Sequence, residues 1–220
     1  WEAGEVAFKR AIELNQSNSE ARAFYSHLLN ILCRPQEAMR QIGLAVKLDP
    51  LNEFIRSLYA IDLVFVKRYD EAIQQAREVL KTSPSNLVAL NAMKNYYQST
   101  GQTERVFETM RRVNLVIQDT ALVEVLDDAF ARGGLRVASE EAARSLVARA
   151  ETTFVSSMQI AGFFAEAGLN EEAFPWLEKA FAGRGPNMPY MGAFQTFSQL
   201  RDDPRFIDLL GRMNLRSCTE

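Results

Sequence analysis

The sequence is poor in the residues on which most enzymes and metal proteins depend. It contains one histidine and two cysteines in 220 residues. The patterns G-x-x-x-x-G-K-[ST], H-E-x-x-H, C-x-x-C and G-x-S-x-G are all missing. Adjacent carboxylates such as Asp127 and Asp128 fall on different faces of a helix and are typical of solvated surface. We therefore expect a chain that is not an enzyme and that uses no metal and no cofactor.

Long apolar runs and cysteine patterns are also missing. The longest apolar candidate, Leu63-Val64-Phe65-Val66, is far shorter than the ~20 residues needed to span a bilayer. Cys33 and Cys218 show no spacing typical of a metal site or a disulfide framework, which favours a reducing compartment. We predict a cytoplasmic protein that has no membrane partner.

The charge balance gives no sign of nucleic-acid binding. The formal net charge is -3, and basic pairs such as Arg111-Arg112 lie among acidic residues. A nucleic-acid-binding domain usually presents a basic patch or stripe. We expect no nucleic-acid partner.

What the sequence does contain is an internal repeat. The blocks 19–52 and 53–86 have equal length and carry matching residues at an offset of 34. Ala38 corresponds to Ala72, and the ends of the blocks read Asp49-Pro50-x-Asn52 and Ser83-Pro84-x-Asn86. Proline cannot continue a helix and small residues let two helices approach closely, so each block predicts a helical hairpin.

This period and these residues resemble the tetratricopeptide repeat. That family has small residues at its eighth and twentieth places and proline at its thirty-second, and Ala60, Ala72 and Pro84 fill these places in the second block. The resemblance implies an all-α fold, a right-handed α-solenoid of stacked antiparallel helical hairpins. It also implies a protein or peptide ligand in a concave groove.

Weaker copies extend the pattern over the whole chain, which we interpret as a single domain, 1–220. The segments are 1–18 (second helix of a truncated repeat), 19–52, 53–86 and 87–118 (repeats), 119–152 (divergent hairpin), 154–182 (repeat), 183–199 (loop) and 200–215 (capping helix). Because Trp1 falls inside a repeat, we expect the true N-terminus to lie elsewhere.

The candidate binding surface lies on the first helix of each hairpin. Places 2, 5, 9 and 12 form one stripe there, and the helix from 53 is apolar nearly all round. Asparagine and glutamine side chains on the next first helix can donate to and accept from a peptide backbone. The predicted groove residues are His27, Asn30, Phe54, Ile61, Val64, Phe65, Asn91, Asn95 and Gln98.

The resemblance bears on two further questions, which are the kind of partner and the domains to which such an array is joined. The carboxylate clamp with which some family members hold chaperone tails is missing, because its places read Ala23 and His27, then Ser57 and Ile61. The tail from Leu200 to Met213 is similar to the end of many bacterial tetratricopeptide proteins, in which the array follows a cyclase, kinase or winged-helix domain.

Two functions follow as expectations. The first is a non-catalytic protein-binding or peptide-binding scaffold, the regulatory or interaction arm of a larger bacterial signalling protein. The alternative is a structural or dimerising element that packs against an upstream domain of the same polypeptide or against a second copy of the chain. In that case an adjacent repeat or a partner subunit would cover the apolar stripe.

Overall fold

The protein is all-helical in the computed structural model, which describes residues 1–216 and Cys218. No residue in this part of the chain is in a strand, so the predicted all-α class is confirmed. The α-helices are α1 (Glu2–Leu14), α2 (Ser19–Ile31), α3 (Pro35–Leu48), α4 (Glu53–Phe65), α5 (Tyr69–Thr82), α6 (Leu87–Ser99), α7 (Thr103–Val116), α8 (Thr120–Arg149), α9 (Ser157–Glu166), α10 (Asn170–Ala182) and α11 (Pro204–Arg212). Two 3-10 helices, Met188–Tyr190 and Gln195–Leu200, lie between α10 and α11.

The helices form two compact units, Trp1–Tyr96 and Tyr97–Glu220. In the first unit, α2 packs on α3, α3 on α4, and α4 on α5. In the second unit, α7 packs on α8, α8 on α9, α9 on α10, and α10 on α11. Within each unit, helices therefore pack on their neighbours in sequence, as they do in repeat arrays.

The repeat period is visible in the helix starts. Asn18, Asn52 and Asn86 precede α2, α4 and α6 at intervals of 34 residues. In each case the side-chain oxygen accepts a hydrogen bond from a backbone N–H three residues later, at 2.9, 3.2 and 2.9 Å. Such a bond satisfies one of the free donors at a helix start. The asparagines thus fix where each first helix begins.

The ends of these helices also repeat. Cys33, Lys67 and Gly101 have left-handed backbones, with φ of 56°, 59° and 69°, and they too are 34 residues apart. The residue after each one donates its N–H to a carbonyl five positions back, in the pairs Arg34–Leu29, Arg68–Leu63 and Gln102–Tyr97. This bond closes a helix end and turns the chain sharply. The second helix of each hairpin begins directly afterwards.

The second helices carry the predicted small residues into the core. Ala38 on α3 is fully buried in a cluster with Tyr25, Leu28 and Leu29 of α2. Ala72 on α5 is buried in a cluster that also holds residues of α4. The equivalent alanines therefore occupy equivalent packing positions in the two hairpins.

Helix α8 is a hairpin rather than one straight rod. A straight helix of 30 residues would be about 45 Å long, yet Arg149 at its end pairs with Asp119 at its start at 2.6 Å. The chain folds back at Gly133 and Gly134, whose backbone angles are not helical. The two arms of α8 therefore pack side by side.

The last helix, α11, covers apolar surface of the second unit. Its Phe206, Leu209 and Leu210 are buried. On its outer side, Arg205 pairs with Glu171 and Arg212 with Glu178, both on α10 and both at 2.7 Å.

Neither cysteine is a free thiol. The prediction from their spacing, that the cysteines belong to no disulfide framework, is therefore not supported. The inference of a reducing compartment loses its basis with it. Separately, no helix in the described part of the chain has the length and apolar content to cross a bilayer.

Candidate functional site

The predicted groove residues differ widely in exposure. Four are buried, three are half-buried, and two are exposed at the surface. The buried ones are Asn30, Ile61, Val64 and Asn95; the half-buried ones are His27, Phe65 and Gln98; the exposed ones are Phe54 and Asn91. Only part of the predicted stripe is thus open to a ligand.

The apolar residues in the middle of α4 are used for packing. Ile61 belongs to a buried cluster with Ala92 of α6, and Phe65 packs against the same cluster. Val64 lies in a second cluster with Ala72 of α5. The all-round apolar character of α4 is therefore explained by the helices on its sides, including the first helix of the next repeat.

The accessible apolar residue of the stripe, Phe54 at the start of α4, forms an aromatic pair with Phe24 of α2. Phe54 of α4 is 41% exposed and Phe24 of α2 is 46% exposed. Their ring centroids are 5.8 Å apart and the rings are inclined by 47°, within the range of favourable aromatic pairs. We call Phe24 and Phe54 the aromatic pair.

Phe24 was missed by the sequence analysis. It lies outside the stripe of places 2, 5, 9 and 12, because it is the sixth residue of its block. One signal could have found it: place 6 is four residues after place 2, so both lie on one helix face. An aromatic residue at this place extends the face towards the next repeat.

Two of the predicted amides in the first unit already have partners inside the protein. The Asn95 Nδ2 donates to the Asn91 carbonyl at 2.9 Å, which turns this side chain onto its own helix. The Asn30 Nδ2 donates to the Asp62 Oδ1 at 2.6 Å. Asn91 remains exposed on α6.

The contact of Asn30 belongs to a buried polar cluster that the sequence analysis also missed. Asp62 of α4 is 1% exposed, and Ser26 and Asn30 of α2 surround it. Burial raises the pKa of the Asp62 carboxyl to about 7, although the neighbouring Ser26 hydroxyl and the hydrogen bond from Asn30 oppose this shift. An aspartate within the apolar run from Ala60 to Phe65 of α4 was the available signal.

His27 does not supply a positive charge to this face at neutral pH. Burial lowers the pKa of its imidazole to about 4, so the ring is neutral near pH 7. A ligand carboxylate would therefore find no cationic histidine here, which agrees with the missing carboxylate clamp.

Gln98 lies in the second unit. Its Nε2 donates to the Glu166 Oε2 and to the Thr196 Oγ1, the latter at 3.1 Å. Elsewhere, the described residues include no group of three or more histidine, cysteine or acidic side chains that could hold a metal ion.

Neither a scan against protein-family models nor a search of curated proteins found a match to this chain. The resemblance to the tetratricopeptide family therefore remains a prediction from the repeat.

Proposed function

We propose that this chain is a non-catalytic, tetratricopeptide-like right-handed solenoid that binds a protein or peptide segment on the face formed by its first helices. In this proposal the array is the regulatory or interaction arm of a larger bacterial signalling protein.

The observation that carries the proposal is the exposed aromatic pair. Single exposed apolar residues are common on protein surfaces, but Phe24 and Phe54 are in contact and come from successive first helices. Aromatic residues are enriched among the few interface residues that supply most binding energy. Asn91 on the next first helix is exposed and offers an amide that can bind a peptide backbone.

In this proposal the ligand contacts the start of α4, rather than the residues in the middle of α4 that the sequence predicted. Ile61 and Val64 are engaged in packing, so aspartate at Ile61 would test folding more than binding. Substitutions of the aromatic pair leave the core intact, and they are the sharper test.

Selection from a library of random linear peptides displayed on phage tests the proposal. We expect the wild-type chain to enrich peptides with apolar or aromatic anchors, and the double variant Phe24→Ser, Phe54→Ser to lose them. Truncating an anchoring ring costs about 2 kcal/mol or more, roughly thirty-fold in Kd. The matched control is Leu44→Ser, since Leu44 on α3 is 42% exposed; this variant should enrich the same peptides as the wild type.

Two outcomes would count against peptide binding. One is a folded double variant that enriches the same peptides as the wild type. The other is no enrichment by the wild type together with a dimer, seen by light scattering, that the double variant loses. The second result would favour the dimerising element that was the alternative from the sequence.

A further inference from the structure

A cavity of about 220 Å³ lies in the second unit, apart from the aromatic pair. It is formed by the end of α6, the start of α7, Leu135 of α8, the end of α9 and the 3-10 helix Gln195–Leu200. Pockets that hold drug-sized ligands measure about 300–1,000 Å³. This cavity suits a smaller group, such as one side chain or a small metabolite.

The wall of the cavity exposes polar and apolar surface in nearly equal parts, although most of its side chains are polar. Nine of its side chains carry an amide, a hydroxyl or a carboxylate: Tyr97, Gln98, Gln102, Thr103, Glu166, Gln195, Thr196, Ser198 and Gln199. Empty cavities in proteins are apolar and stay dry, whereas cavities with polar walls hold water or a polar ligand. The polar lining indicates that this cavity is suited to a polar occupant.

Part of the hydrogen-bonding capacity of this wall is not used inside the protein. Gln98 binds one oxygen of Glu166 and the hydroxyl of Thr196. Within the described residues, no contact engages the other Glu166 oxygen or the side chains of Gln195 and Ser198. These groups can therefore accept hydrogen bonds from a ligand.

The only charge in the cavity wall is negative. Glu166 is the only charged residue in the lining, and it has no ion pair among the residues that the structure describes. It is also the last residue of α9, where the helix dipole favours positive charge. A cation is the ligand that would complement both features.

We propose that this cavity binds a small organic cation, an alkylammonium or guanidinium group, with the Glu166 carboxylate as its charge partner and Gln195 and Ser198 as further acceptors. The bound group is either a lysine or arginine side chain of a peptide or a free amine or guanidine. This site is separate from the aromatic pair, so it does not depend on the proposed peptide surface.

Titration of the ¹⁵N-labelled protein with n-butylguanidinium and n-butylammonium, followed by NMR, tests this site. We expect the side-chain amide signals of Gln98 and Gln195 to shift, whereas 1-butanol and butyrate should leave them unchanged. A concentration of about 10 mM is sufficient, because it fills most of a site with a Kd of ~1 mM. No shift with either cation, or an equal shift with 1-butanol, would overturn the proposal.

Glu166→Gln removes the charge and keeps the shape of the side chain. We expect it to weaken cation binding about tenfold or more, while Glu172→Gln should bind as the wild type does. Glu172 is the matched control because it is half-buried, has no ion pair within the described residues, and lies outside the cavity. Undiminished binding by a folded Glu166→Gln variant would contradict the assignment.

If Glu166→Gln fails to fold, Ser198→Phe provides a second test. Phenylalanine at this position would fill the cavity without changing the carboxylate, so binding should be lost; retained binding by the folded variant would overturn the site. The source of the cation is found by comparing n-butylguanidinium with N-acetyl-arginine methylamide. Tighter binding of the amide identifies a peptide side chain, and equal or weaker binding identifies a free cation; either result agrees with a cation site.

Discussion

At the scale of single residues, the repeat places two residues other than glycine in a left-handed backbone. Cys33 and Lys67 take the place that Gly101 occupies in the next copy. A left-handed conformation costs an ordinary L-residue roughly 1–2 kcal/mol, because its Cβ approaches the following carbonyl oxygen. The hydrogen bonds that follow each turn hold the conformation in spite of this cost.

Lys67→Gly should therefore stabilise the protein. Glycine removes the steric cost but loses more conformational entropy on folding, so we expect a net gain of up to about 1 kcal/mol. Urea denaturation measures it. The control Lys47→Gly, in the last turn of α3, should lose up to about 1 kcal/mol; a loss at both positions would contradict the proposed strain at Lys67.

The buried Asp62 should make stability depend on pH. Its pKa in the folded protein, about 7, lies above the reference value of 3.8. Its contribution to stability is therefore full below pH 3.8, falls as the pH rises towards 7, and is constant above that.

Asp62→Asn removes this titration, and its expected effect has a definite sign. The unfolding free energy of the variant relative to wild type should rise between pH 4 and pH 7 and level off above pH 7. At about 1.4 kcal/mol per pKa unit, the upper limit of this rise is about 4 kcal/mol. Urea denaturation across this range would measure it, and a difference that does not change with pH would show that Asp62 does not titrate there.

Some of the structurally important residues could be predicted from the sequence and others could not. Ala38, Ala72 and the capping asparagines were visible because they recur at a fixed interval. The bond between Asn30 and Asp62 was not visible, because it joins two repeats at places that do not correspond. A periodic pattern indicates what each repeat shares, and the contacts between unlike places depend on how the helices pack.

At the scale of elements, the most unusual feature is the hairpin of α8. Gly134 has φ 68° and ψ -162°, a region that is essentially restricted to glycine. The folded-back arms are held together at their far ends by the pair Asp119 and Arg149, through two hydrogen bonds of 2.9 and 2.6 Å.

Gly134→Ala should destabilise the protein by about 1–3 kcal/mol, because alanine cannot adopt this backbone without strain. Thermal unfolding measures the loss. The matched control is Gly43→Ala on α3, where an added Cβ would have no atom within 4 Å and should gain about 0.5–1 kcal/mol. Equal effects at the two glycines would contradict the role of Gly134 in turning the chain.

The sequence predicted the helices reliably. It did not predict which helix faces remain exposed. The apolar pattern of α4 was evident, and two explanations for it were left open: a partner or a neighbouring repeat. The cluster of Ile61 with Ala92 favours the neighbouring repeat for that residue. Both explanations require the same apolar side chains, so only three-dimensional packing could separate them.

At the scale of the whole molecule, a repeat array must cover the apolar surface at its end. In the proposed array, helix α11 would have this role in the second unit, where Phe206 lies 6.3 Å from Phe197, centroid to centroid. The guanidinium of Arg205 lies over the Phe174 ring at 3.8 Å, and that of Arg212 over another ring of α10 at 4.4 Å. One short helix thus shields several aromatic residues.

Removal of this helix should make the protein aggregate. Burying one phenylalanine or leucine stabilises a fold by about 1.5–3 kcal/mol, so losing Phe206, Leu209 and Leu210 together would cost about 5–9 kcal/mol. This loss is comparable with the whole stability of a typical domain, about 5–15 kcal/mol. A chain that ends at Asp203 should therefore scatter light strongly under conditions in which the full chain does not.

The control for this truncation keeps the apolar side chains and removes the surface charges. Arg205→Ala with Arg212→Ala breaks ion pairs whose side chains are 38–77% exposed, and such pairs contribute about 0–1 kcal/mol each. The double variant should show little more light scattering than the full chain, with only a modest drop in Tm. If the truncated chain also stays non-aggregating and melts at the same temperature as the full chain, α11 does not protect the apolar surface of the second unit. If the double variant aggregates as strongly as the truncated chain, the arginines over the α10 rings, rather than the buried apolar residues, shield this surface.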